Sequence, residues 1–154
     1  MGQTLRRVAL LVFVVPHELG HAIPAHAAGL QYDVRLRPDW DGDGTPLGQF
    51  DAELDDAVPL WLVRAVAVAP LPLYLGVALV VRETARPSGL PAILTAGLCA
   101  VWASLSAGDL GIALAPAESR RAGSFVATVS RRTRRVADLL AGLTTAAAAV
   151  ILLT

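Results

Sequence analysis

Apolar and polar positions alternate along this chain in long blocks. Residues 5–30, 58–81, 90–114 and 136–154 are mostly apolar. A helix rises about 1.5 Å per residue, and about 20 apolar residues cross the hydrocarbon core of a bilayer. Each block is therefore predicted to be a membrane-spanning helix. The stretch between the first two differs. Tyr32, Val34 and Leu36 alternate with Asp33, Arg35 and Arg37, and Phe50, Ala52 and Leu54 alternate with Gln49, Asp51 and Glu53. Two runs of period 2, joined by Gly, Pro and Asp residues, predict a β-hairpin within 31–57. Residues 82–89 form a short polar connection, and residues 115–135 a basic loop. The expected fold is an all-α membrane protein, one domain over 1–154, with about four transmembrane helices and a small β-hairpin between the first two.

Composition sharpens this picture. The chain is 55% apolar with a mean hydropathy of +0.56, more than an ordinary soluble domain carries. All 13 basic residues are arginine, and the chain has no asparagine. Its single cysteine, Cys99, excludes an intrachain disulfide. Charge is unevenly placed. With four spans, Arg6, Arg7, Arg82 and Arg86 lie on one side. Arg35, Arg37, Arg120, Arg121, Arg131, Arg132, Arg134 and Arg135 lie on the other. The arginine excess marks the cytoplasmic side, so the N-terminus is expected outside, with loops 31–57 and 115–135 cytoplasmic. The basic cluster reads as a lipid-facing anchor, and no nucleic-acid partner is expected. Arg64 is close enough to the start of its segment to reach the surface along its aliphatic stem. A competing reading takes Arg6-Arg7, the following apolar run and Ala25-His26-Ala27 as a secretory signal with its cleavage site. The polar stretch from His17 to His26 is too long for one.

The chemistry concentrates in His17-Glu18-Leu19-Gly20-His21. On a helix, positions i and i+4 share a face, so two imidazoles can hold one Zn²⁺ while Glu18 acts as a base on water. Catalytic zinc usually has three protein ligands. Asp109 is the sole carboxylate of 90–114 and is expensive in lipid without a partner, which makes it the expected third ligand. His26 is the alternative, but five residues beyond His21 it lies about 140° around the helix. Pro24 is expected to bend the helix just after the motif. Gly108 and Gly111, with Ala107 and Ser104, are expected to admit a close-packed helix. Asp39-Trp40-Asp41-Gly42-Asp43-Gly44 matches the start of a calcium loop. The twelfth position is Phe50 where a bidentate Glu is needed, and a solvated turn is the other reading.

These residues together resemble the site-2 protease-like intramembrane zinc metalloproteases. The resemblance rests on His17-Glu18-Leu19-Gly20-His21, on Ala69-Pro70-Leu71-Pro72-Leu73, similar to the family's Gly-Pro-x-x-Asn stretch, and on Gly108-Asp109-Leu110-Gly111, similar to its Asp-Gly element. Leu73 stands where the family has Asn, so Tyr74, a backbone N–H or zinc would have to stabilise the oxyanion. The resemblance implies a zinc-dependent intramembrane endopeptidase with ligands His17, His21 and Asp109 and catalytic base Glu18. Its partners would be the lipid bilayer and a membrane-protein substrate, held extended by the hairpin edge; the oligomeric state stays open. The alternative is a non-catalytic membrane metal-binding protein: a sensor, a scaffold or a cation-transport component.

Overall fold

A computed structural model describes residues 2–36 and 48–154. The first apolar block forms α1 (Gly2–Ala9), one π-helical turn (Leu10–Val14) and α2 (Val15–Ala27). The helix runs through Pro24 and ends earlier than the expected residue 30, because Gly29 takes a left-handed φ of 74° that an L side chain rarely adopts. Then come β1 (Tyr32–Leu36) and β2 (Gly48–Ala52), antiparallel with Val34 opposite Phe50. The hairpin expected from the alternation is present. The Asp39–Gly44 calcium-loop sequence lies outside the described residues.

The middle blocks differ from the single helices expected. Residues 58–81 divide into α3 (Leu60–Val68) and α4 (Pro70–Ala85), bent by 46°. Pro70 has no N–H and its ring crowds the preceding turn, so a continuous ladder cannot pass. The second helix takes up Arg82–Ala85, shortening the polar connection. Residues 90–114 divide into α5 (Gly89–Ala103) and α6 (Ala107–Leu114), bent by 45°. Here the break is a capping box. Ser106 Oγ accepts from the Asp109 N–H, and the Asp109 carboxylate accepts from the Ser106 N–H. The basic loop also differs. It contains α7 (Pro116–Ala122), and the last helix, α8 (Arg131–Leu153), starts at the arginines, capped by Ser130. Among the described residues, Arg7–Ala27 and Arg131–Leu153 are each long and apolar enough to cross a membrane. Counting each bent pair as one span gives up to four.

Two cores support these elements. One joins α2, the hairpin, α3 and α6 through Ala22, Ala25, Phe50, Val63, Val66, Ile112 and Phe125. The other joins α4, α5 and α8 through Ala78, Ala96, Cys99 and Leu152. Buried helix positions are largely small residues, whereas Leu94 is 58% exposed and Leu139 69% exposed. Arg64 is exposed, and its Nε donates to the Ala113 carbonyl at the end of α6. Orphan carbonyls at a helix C-terminus favour such a cation.

Close approaches fall at glycines. Gly20 packs on Pro70, and an added Cβ would lie 3.0 Å from three of its atoms. Gly111 packs against the non-helical segment 124–130, where a Cβ would come within 2.9 Å of Ala127 Cβ. That contact corrects the expectation of a helix there. Gly108 meets nothing nearer than its own cap, Ser106 Oγ at 3.4 Å. Gly111→Ala is expected to destabilise the protein by about 1–3 kcal/mol through overpacking. Gly97→Ala, at a mid-helix position with nothing within 4 Å, should be neutral or stabilise by up to about 1 kcal/mol. Unfolding of both variants in detergent checks the contrast.

Candidate metal centre

His17 and His21 project from α2 toward the first turn of α6, which carries Asp109. The His17 and His21 Nε2 atoms are 3.3 Å apart. His17 Nε2 lies 3.4 Å from Asp109 Oδ2, and His21 Nε2 lies 3.4 Å from Asp109 Oδ1. His21 is 1% exposed and Asp109 9%.

The other ring nitrogens fix the tautomers. His17 Nδ1 is 3.0 Å from the Trp102 carbonyl, and His21 Nδ1 is 2.8 Å from the Val66 carbonyl. A carbonyl only accepts, so each Nδ1 carries the hydrogen, and in the neutral ring each Nε2 presents a lone pair. These acceptors are available because of the helix breaks. In an unbroken helix the Val66 carbonyl would receive the N–H of residue 70, but that residue is Pro70. The Trp102 carbonyl would receive the N–H of Ser106, but that N–H is bound to Asp109 Oδ2 at 2.7 Å. Each break thus frees the carbonyl that orients one imidazole. The same capping box aims the Asp109 carboxylate, at a helix N-terminus that favours negative charge.

Two imidazole lone pairs and a carboxylate converging repel one another unless a cation or proton lies between them. His17, His21 and Asp109 could hold a metal ion, with one ligand atom from each lying within 4.8 Å of the others. Cation–ligand bonds would replace that repulsion, and the hydrogen-bonded Nδ1 groups would raise the basicity of the ligands. His26 is elsewhere, exposed and packed edge-on to Tyr32.

The chain matches no family model, no curated protein and no solved structure.

Glu18 is buried at 7% exposure and lines the same cavity, about 760 Å³, as His17 and Asp109. Its carboxylate lies against β2. A Cβ at Gly48 would sit 2.8 Å from Glu18 Oε1 and collide with Val14 Cγ1. Only glycine leaves room there, a requirement invisible in the alternation that marked the strand. Phe50 and Phe125 form the wall beside the His21 ring.

Three further features escape the sequence pattern. The last helix lines the cavity with Arg134, Ala137, Asp138 and Ala141. The i, i+4 spacing of Arg134 and Asp138 is the available signal. The capping box is written in Ser106-x-x-Asp109, a recognisable helix-start pattern. Trp102, with no motif around it, supplies the carbonyl for His17. Tyr74, one of the residues expected to face an oxyanion, instead donates its hydroxyl to the Pro16 carbonyl. It is not among the residues lining the cavity.

Asp109→Ala should lower the metal content of the purified protein markedly, while His26→Ala should leave it unchanged. Elemental analysis of both variants after equal metal exposure checks this. Retention by Asp109→Ala together with loss in His26→Ala would move the centre away from the cluster.

Proposed function

We propose that the protein is a membrane-embedded zinc endopeptidase that hydrolyses peptide bonds in or near spanning segments of other membrane proteins. The observation that carries this reading is the convergence of His17, His21 and Asp109, with a buried Glu18 lining the same cavity as His17 and Asp109. A tetrahedral centre with bonds of about 2.0–2.1 Å places its ligand atoms about 3.3–3.4 Å apart. The 3.3 Å between the two imidazole Nε2 atoms fits that figure, and each Nε2 lies 3.4 Å from a different oxygen of the Asp109 carboxylate. Nitrogen and carboxylate donors with three protein positions filled suit zinc in a centre that keeps one position open. The resemblance to site-2 protease-like enzymes, carried by His17-Glu18-Leu19-Gly20-His21, points the same way.

Zinc bound there would act as a Lewis acid toward a peptide carbonyl and lower the pKa of water. The remaining work falls to the chain. His17, His21 and Asp109 hold the centre. Glu18 accepts a proton from the attacking water and returns it to the leaving amine. A substrate helix hides its carbonyls in its own hydrogen bonds and must be unwound first. The hairpin is built to hold such a stretch. The Glu53 N–H donates to the Gln31 carbonyl, so Asp51 and Gln49 also turn their peptide groups toward β1. Gly48 and Phe50 turn theirs away from β1, and both residues line the cavity. An extended peptide adding to that edge would lie beside Glu18. With Tyr74 engaged by Pro16, the oxyanion would fall to a backbone N–H or to zinc.

Small residues packed inside and large apolar ones outside are the arrangement expected in lipid, where close helix approach replaces the hydrophobic effect. The hairpin and the segment after α7 touch. The Phe125 N–H donates to Asp51 Oδ1 at 2.9 Å, and the Leu54 N–H to the Gly123 carbonyl at 3.2 Å. These contacts support a reading in which both lie on one side, which the arginine excess would make cytoplasmic, with the N-terminus outside. A second reading, a non-catalytic metal-binding membrane protein, is favoured by one observation. The chain has no asparagine and its Tyr74 hydroxyl is engaged, so neither can serve an oxyanion.

Two measurements test this. Glu18→Gln should keep its zinc and lose about 10²–10⁴-fold in cleavage of co-expressed single-span proteins. Zinc loss in that variant would make Glu18 a ligand and favour the non-catalytic reading. Cysteines introduced in a Cys99→Ala background should be labelled from outside at Ser88 and not at Ser124. The reverse pattern would invert the topology without touching the metal centre.

A further inference from the structure

Trp102 meets the first helix twice. Its carbonyl accepts from His17 Nδ1 at 3.0 Å, and its indole Nε1–H donates to the Val12 carbonyl at 2.7 Å. The second contact has a cause in the sequence. In an α-helix the Val12 carbonyl would receive the N–H of residue 16, and Pro16 has none. The backbone just before it widens into the π turn, where the Val15 N–H reaches back to the Leu10 carbonyl. Such turns are rare and concentrate at functional sites. The indole therefore occupies an acceptor left open just before the motif begins. Tyr74 packs on the Trp102 ring at a centroid distance of 5.5 Å and donates to the Pro16 carbonyl.

We infer that Trp102 is the positioning residue for His17: its indole pins the π turn while its carbonyl fixes the imidazole tautomer and ring direction. This inference rests on the metal-centre reading proposed above and adds a role for a residue that supplies no ligand atom. His21 has only the second kind of support, a carbonyl. For His17, the helix carrying the ligand and the carbonyl orienting it are tied by one side chain. Outer partners of ligating histidines typically change metal affinity about 10–100-fold when altered.

The test uses the full-length protein in lipid nanodiscs, with zinc alone as probe, in competition with a chromophoric chelator. Trp102→Phe keeps an aromatic ring and removes the N–H. Its zinc affinity should fall about tenfold or more, with helicity retained, while Trp61→Phe, on an exposed side chain, changes nothing. The loss should shrink in a Pro16→Ala background, because an N–H at residue 16 can then serve Val12. A merely structural tryptophan would show no such dependence. Unchanged zinc affinity in Trp102→Phe, or an equal loss in both backgrounds, overturns the inference. Should Trp102→Phe not fold, 5-fluorotryptophan NMR of the unaltered sequence decides. The Trp102 resonance should shift on zinc addition while that of Trp61 stays, and a Trp102 signal indifferent to bound zinc overturns the inference. Absence of zinc binding by the unaltered protein would overturn the metal-centre reading itself, and this inference with it.

Discussion

A carbonyl released from a helix must find another donor, and the centre of this protein is organised by that requirement. Val66, Trp102 and Val12 each lose the helical partner four residues ahead, to Pro70, to the Ser106 cap and to Pro16 respectively. Their new donors are His21, His17 and the Trp102 indole. Leaving a buried carbonyl unpaired costs about 1–3 kcal/mol. In lipid no water would relieve it. The breaks therefore orient the side chains that fill them: His17 cannot turn away from Asp109 without orphaning the Trp102 carbonyl, and His21 cannot without leaving the Val66 carbonyl only the Ala69 N–H at 3.4 Å.

The packing serves the same end. α2 must come close enough to the α3–α4 elbow for His21 to reach Val66, and Gly20 on Pro70 permits this. β2 must lie close enough to Glu18 to wall its carboxylate, and Gly48 permits that. The bond from the Phe125 N–H to Asp51 holds the segment after α7 against the hairpin, so Phe50 and Phe125 close one side of the His21 ring. Distant parts of the chain thus meet around one imidazole.

Much of this was legible in the residues. His17, Glu18 and His21 declare themselves by spacing, and Asp109 by being an isolated carboxylate in an apolar block. The hairpin comes from its alternation. What was not legible has physical reasons. The α3–α4 bend was signalled by Pro70, yet hydropathy averages over a bend, so an interrupted span and a straight one look alike. The start of α8 at Arg131 is hidden because hydropathy marks where an apolar stretch begins and not where a helix begins. The roles of Trp102 and Gly48 depend on groups 85 and 30 residues away in sequence, and no local pattern encodes such a meeting.

The intervals between each break and its freed carbonyl carry a consequence for how such a chain can evolve. Residues 12 to 16, 66 to 70 and 102 to 106 are each separated by one helical step of four. Inserting or deleting one residue inside any of these intervals would rotate the downstream backbone by about 100°. The carbonyl would then meet the wrong neighbour, and no substitution at His17, His21 or Asp109 could restore it. Side chains around the cavity can vary singly, whereas length within these three intervals cannot. Divergence of this architecture should therefore proceed by replacement there and by insertion only in the connections between helices, leaving three short segments of fixed length in a chain otherwise free to drift.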